Sequence, residues 1–232
     1  MTKTKLNIES WNRKEHFRFF SAFDDPFFGI TTNVDFTTIY LEAKRNSQSF
    51  FLYSLHHILT KANETDEFKL RIEEGNSVVK YDTIHVSPTI GREDGTFGFA
   101  FFEYIPDRNE FIQQAIQEIT RVKNSTGLSF SKNTGREDVI RYSSIPWLSF
   151  SEMKHAVSFK NGDSVPRIST GKLIDTNGKM KKHFYYRNLL AHRNGRKKDG
   201  GYINITNEEL KSLITDTQSI AKQIQTKIKP DH

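Results

Sequence analysis

The chain contains no cysteine. That absence excludes a disulfide framework, a thiolate-ligated zinc or iron–sulfur centre and a thiol nucleophile. No apolar run approaches the roughly 18 residues that a membrane-spanning helix needs. The opening segment, Met1–Phe17, holds no apolar core of signal-peptide length. We therefore expect a soluble cytoplasmic protein with no membrane partner. Acidic residues are missing from one place: Lys181–Lys198 contains seven basic residues and no Asp or Glu. Subtracting those seven from the net charge of +6 leaves −1 for everything else. The positive charge is one segment, so the overall charge alone argues only weakly for nucleic acid.

Phenylalanine, by contrast, is abundant, with 19 among 232 residues. That supply can fill a core or line an aromatic pocket. A chain of this length suits one domain, expected over 1–232, and buries roughly 70% of its unfolded surface on folding. It needs neither metal nor crosslink to hold a core.

Strand-like and helix-like runs alternate. Thr31–Tyr40 is rich in β-branched and aromatic residues and reads partly as strand. Ser49–Asn63 places Leu52, Leu55, Leu59 and Ala62 at helical spacing. Phe68–Tyr81 reads as a hairpin turning at Gly75 and Asn76. Thr83–Ile90 and Thr96–Tyr104 are further strands across a turn at Gly91–Gly95. That turn lacks the Gly-Lys-Ser/Thr ending of a phosphate loop. Asn109–Lys123 reads as a helix capped by Asn109, with Phe111, Ile112, Ala115, Ile116, Ile119 and Val122 inward. Ser143–Phe150 and Arg167–Asp175 look extended. Thr206 and Glu209 fit a capping box that opens a last helix. The pattern is α+β, with a large mixed sheet packed by helices.

The run Trp11-Asn12-Arg13-Lys14-Glu15-His16-Phe17 resembles the opening of the chloramphenicol acetyltransferases. Later features keep the family's order: Arg71-Ile72, Tyr81-Asp82-Thr83-Ile84-His85, Ser143-Ser144-Ile145-Pro146-Trp147 and Gly171-Lys172. The resemblance covers roughly residues 5–180. It implies a two-layer sandwich fold and a homotrimer with active sites between neighbouring subunits. It also implies acetyl-CoA as co-substrate, a histidine general base acting on a hydroxyl of chloramphenicol, and no metal. Acyl transfer to an alcohol needs such a base, because a hydroxyl is a poor nucleophile until its proton leaves.

The resemblance assigns roles to particular residues. Ser143 falls at the oxyanion-stabilising serine, and Ser169 at a hydroxyl beside the same intermediate. Arg13 matches an arginine that supports the site. Phe19, Phe20, Phe27 and Phe28 fall where the family lines its aromatic substrate pocket, and Lys172 is a cofactor-binding candidate. The family's signature of paired histidines, three residues and Asp-Gly is altered here. Asp199-Gly200 is present, but the nearest histidine ahead of it is His192, with six residues between them. His183 is a weaker candidate base. His56-His57 lies in a helical pattern with no Asp-Gly behind it and reads as structural.

Three readings of the altered segment stay open. The site is remodelled around His192, or it is lost while the fold survives, or a local change such as a frameshift has overwritten it. The leading function is acetylation of chloramphenicol or a similar alcohol, giving antibiotic resistance. The alternative is an impaired or inactive trimer that binds a small aromatic ligand or a partner. Nucleic-acid binding through Lys181–Lys198 is a third reading. Burying unpaired charge is costly, so Arg193–Lys198 is expected to form an exposed loop, with strand pairing shortened near the site.

Overall fold

The structure, a computed structural model, describes residues 2–23, 26–74, 77–156 and 163–188. Backbone contacts divide the chain into Met1–Ala191 and His192–His232. Every described residue belongs to the first unit, so the expected single domain extends beyond what is described. The expected Arg193–Lys198 loop and last helix lie outside the described residues.

The elements follow in chain order: β1 (Lys3–Lys5), α1 (Lys14–Ser21), β2 (Phe28–Asp35), α2 (Thr37–Arg45), α3 (Phe50–Asn63), β3 (Leu70–Glu73) and β4 (Ser77–Tyr81). Then come β5 (His85–Gly91), β6 (Phe97–Phe99), α4 (Arg108–Lys123), β7 (Val139–Ser144), β8 (Arg167–Thr176) and β9 (Lys179–Asn188). Six strands form a mixed sheet in the order β2-β9-β8-β7-β5-β6, and a smaller antiparallel sheet runs β1-β4-β3. The α+β class and the large mixed sheet are as expected. Strands β5, β7 and β8 are mutually parallel. Parallel neighbours need crossovers, and α4 lies in the one between β5 and β7.

Local chemistry explains most boundaries. Ser49 caps α3, its Oγ accepting from the Leu52 N–H at 3.5 Å. Leu52, Leu55, Leu59 and Ala62 of α3 are buried as their spacing requires. Helix α4 begins one residue earlier than Asn109. Its cap is Asp107, whose Oδ1 accepts from the Glu110 N–H at 2.9 Å. A carboxylate there also faces the positive end of the helix dipole. Asn109 instead accepts through Oδ1 from Gln48, just ahead of α3. Ile116, expected inward, is 51% exposed.

Thr31–Tyr40 divides between two elements. Strand β2 stops at Asp35, whose Oδ1 accepts from both the Thr37 N–H and the Thr37 hydroxyl. That side-chain turn outweighs the β-branched residues and starts α2. The extended reading of Ser143–Phe150 also needs correction. Strand β7 ends at Ser144, and the Leu148 N–H then bonds the Ile145 carbonyl across a turn containing Pro146.

Helices α2, α3 and α4 pack against the main sheet, while Phe17 of α1 packs with Leu70 and Val78 of the small one. Leu55, Leu59, Phe111 and Ala115 pack with Val86, Ile140 and Ile168 in one buried cluster. Arg71, wholly buried, links the two sheets. It donates to the carbonyls of Glu137 at 2.6 Å, Phe68 and Leu70 at 2.7 Å each, and Val139 at 2.8 Å.

As far as Asn188, the last described residue, the pairing expected to be shortened is kept. Strand β9 pairs with β2 from Asp35↔Lys181 to Phe28↔Asn188, and opposite Ser169 it places Tyr185. Backbone bonding on both edges sustains a strand that its charged composition disfavours. The energetic penalty concentrates at Lys182. Its side chain is buried, with Nζ 5.2 Å from the centre of the Phe50 ring. Burial pushes its amine down from 10.5 to about 8. The unfolded chain therefore binds this proton more tightly than the folded one, so folding is penalised in full below pH 8 and relieved as pH rises towards 10.5. Lys182→Met is expected to stabilise the protein by about 2–3 kcal/mol at neutral pH, the ring contact offsetting part of the desolvation. The gap from wild type should close across that alkaline window in urea titrations. A gap independent of pH would contradict this account of Lys182.

Candidate active site

The face of the sheet opposite the helices carries a polar ladder. In β7 and β8 the partners are Arg141↔Arg167 and Ser143↔Ser169. Alternation of side chains along a strand puts all four on the same face. Tyr142, Ser144, Ile168 and Thr170 take the other face. There the Tyr142 hydroxyl lies 2.7 Å from Thr170 Oγ1, and burial pushes its pKa up to about 12. Tyr142 therefore stays protonated and serves the core.

The polar face floors a cavity of about 450 Å³, of the size that takes a small molecule. Phe99, Phe101 and Phe130 form aromatic walls, and Ser131–Gly135 lies along one side. Phe99 and Phe130 stack with ring centres 6.1 Å apart. Ser143 lines this cavity, with its Oγ 3.5 Å from Thr89 Oγ1 of β5. Ser169 is fully buried beside it, and its Oγ lies 2.9 Å from Nε2 of His155, which lines the cavity. A hydroxyl at Ser143 can donate to an oxyanion that forms in this space.

The other expected residues lie elsewhere. Arg13 precedes α1, and its carbonyl accepts from the Phe17 N–H at 2.8 Å. Phe19 and Phe20 lie on α1 and, with Phe23, form an exposed aromatic group with ring centres 5.2–5.9 Å apart. Phe27 is half-buried just before β2, and Phe28 begins β2. The Phe28 side chain lies outside the described residues. Lys172 is exposed at an irregularity of β8, its N–H bonding the Leu148 carbonyl at 2.7 Å. None of these residues lines the cavity around Ser143. His192 and Asp199 lie outside the described residues, as does the His183 side chain.

The remaining histidines of the described core hold structure. His56 Nε2 lies 3.0 Å from the Ile105 carbonyl, and His57 Nε2 lies 3.2 Å from Arg108. Burial lowers the pKa of both. His85 accepts from the Tyr104 N–H through Nδ1 at 2.9 Å, and burial lowers its pKa too, against the pull of Asp138. Among the described residues no group of three His, Cys, Asp or Glu could hold a metal ion. No described helix is long and apolar enough to cross a membrane.

Sequence reasoning missed His155, Arg141 and Arg167, and it missed the Phe99, Phe101 and Phe130 walls. A signal for the arginines existed: Arg141-Tyr142-Ser143 and Arg167-Ile168-Ser169 repeat one pattern. Its meaning depends on the pairing register. His155 comes from a loop 14 residues ahead of its partner and carries no local signal.

The fold is of the α+β class, with the cavity on the sheet face that carries Ser143. Over residues 1–182 the chain matches the family described as chloramphenicol acetyltransferase, and it belongs to that family. Chloramphenicol acetyltransferase 2 of Haemophilus influenzae is 27% identical over 151 residues, 65% of this chain and 70% of that protein. A chloramphenicol acetyltransferase of Klebsiella sp is 25% identical over 178 residues, 76% of this chain and 80% of that protein. A solved chloramphenicol acetyltransferase structure superposes with a TM-score of 0.76 at 30% identity, covering 83% of this chain and 94% of that one. Dihydrolipoamide acetyltransferase of Azotobacter vinelandii shares the fold, with a TM-score of 0.53 at 12% identity over 72% of this chain and 75% of that one. The family match ends at Lys182, inside β9.

Proposed function

We propose that the chain is an acetyl-CoA-dependent O-acetyltransferase acting on chloramphenicol or a similar alcohol, with antibiotic resistance as the consequence. The observation that carries this reading is Ser143, which presents a hydroxyl to the cavity beside the buried Ser169–His155 contact, in a chain of this family.

In the proposed reaction His192 takes the proton of the acceptor hydroxyl, with Asp199 supporting it. The acceptor oxygen attacks the thioester carbonyl carbon, and Ser143 donates to the oxyanion that forms. The C–S bond then breaks, and the departing sulfur takes the proton back from the imidazolium, giving an acetyl ester and free CoA. Ser169 supports the same intermediate, Arg13 positions the site and Lys172 contacts CoA. Phe19, Phe20, Phe27 and Phe28 supply aromatic surface to a site shared between subunits of a homotrimer. Exposed apolar side chains support such an assembly: Trp147 is 77% exposed and Phe130 is 64% exposed. The protein acts in the cytoplasm.

One observation favours a second reading. The family match ends before His192 and Asp199, as it would in a homologue that has lost its base and binds a small aromatic ligand without turnover. Mass spectrometry of chloramphenicol incubated with the protein and acetyl-CoA separates the two. An acetyl ester that His192→Ala abolishes is the expected outcome. Bound but unmodified chloramphenicol would establish the second reading instead.

A further inference from the structure

Arg141 and Arg167 stand directly opposite each other on β7 and β8. Like charges so placed repel. One carboxylate holds them together: Asp163 Oδ2 pairs with Arg141 Nη1, and with Arg167 Nη2 at 2.8 Å. Burial alone would push the Asp163 carboxyl up, but the two guanidinium groups outweigh it and hold the carboxyl below its ordinary range. Two cations thus share one anion. Among the described residues no second carboxylate pairs with either arginine.

The surplus charge faces the cavity. Both arginines line it, and the Arg141 side chain is 41% exposed. Arg167 is more enclosed. Its Nη1 donates to the Ala156 carbonyl, while its Nε is buried with no hydrogen-bond partner among the described residues. An unpartnered buried donor on a charged group is costly unless a ligand or water meets it.

The same register gives a ruler. Ser143 lies two residues beyond Arg141, and Ser169 two residues beyond Arg167. Two residues of strand span about 6.6 Å. The cavity therefore has a cationic end and a hydroxyl end whose strand positions stand at that spacing, with aromatic walls beside them.

We infer that the facing arginines Arg141 and Arg167, left one carboxylate short of neutrality on the cavity floor, select acceptors that carry an oxyanion about two strand residues from the reacting hydroxyl. This deepens the proposed reading, on which the assignment of the reacting end to Ser143 rests. The favoured acceptor is a hydroxylated aromatic acid. Its carboxylate is held in charge-assisted hydrogen bonds by the arginine pair while its hydroxyl reaches the Ser143 end. Chloramphenicol, which has no formal charge, fits the walls without using the cationic end.

The test uses 4-(hydroxymethyl)benzoate and its uncharged counterpart, 4-(hydroxymethyl)benzamide, titrated calorimetrically into the full chain. The para-substituted ring holds its two groups apart by about the two-residue spacing of the strand. The acid should bind at least about tenfold more tightly than the amide at low salt, and added salt should shrink that preference. Arg141→Gln should remove most of the preference. Asp163→Asn, which keeps an oxygen for the Val165 N–H, should enlarge it. Equal affinities, binding by neither compound, or an undiminished preference in Arg141→Gln would overturn the inference. An acid that binds with the expected preference but is never acetylated would uphold it while counting against acetyl transfer.

Discussion

Ser143→Ala is expected to lower kcat for acetyl transfer by about 100- to 1,000-fold, with little change in KM or thermal stability. Ser143 sits near the C-terminal end of β7, where its backbone pairs with Ser169. Alanine preserves that pairing and removes only the Oγ that faces the cavity. The nearest hydroxyl that could compensate is Thr89 Oγ1, 3.5 Å from the missing atom. Its own position falls short of where the Ser143 oxygen stood. A donor aimed at charge that develops only in the transition state affects kcat more than binding. A fall of less than about tenfold would mean that the oxyanion forms elsewhere.

The second large effect concerns the support behind that strand. Arg71→Met should destabilise the protein by about 3–5 kcal/mol, because several buried carbonyls lose their donor at once. Those carbonyls belong to Phe68 and Leu70 on one side and Glu137 and Val139 on the other. The guanidinium thus ties the small sheet to the start of β7, the strand that presents Arg141 and Ser143. Arg71→Lys should recover little, since an ammonium cannot spread its donors as the planar fork does. Urea unfolding reads both variants. A loss under about 1 kcal/mol in Arg71→Met would show that water or neighbouring groups replace the fork.

These two residues also mark what the sequence could disclose. The family order of motifs led to Ser143 and Arg71-Ile72 without any structure. Periodicity placed α3, and Gly75-Asn76, which lie outside the described residues, marked the β3–β4 hairpin, because each depends on neighbours within one turn or one strand pair. Helix α2 was hidden by Thr37, Thr38 and Ile39, residues that favour strands until Asp35 bonds back to Thr37. The cavity was less legible. Arg141 and Arg167 look like surface cations one at a time, and they become a pair only when β7 and β8 align in parallel. Strand β9 misled in the opposite direction. Its charged composition argued for shortened pairing, whereas backbone pairing with β2 and β8 keeps the strand as far as Asn188 and buries Lys182.

The central claim is that this cavity supports acetyl transfer to an alcohol. The most direct measurement is thiol release from acetyl-CoA, followed with a thiol reagent, with and without chloramphenicol. The chain has no cysteine, so the protein contributes no background. The account predicts release that depends on the acceptor and collapses in Ser143→Ala. No release from a folded protein, or release indifferent to both the acceptor and Ser143, would contradict it.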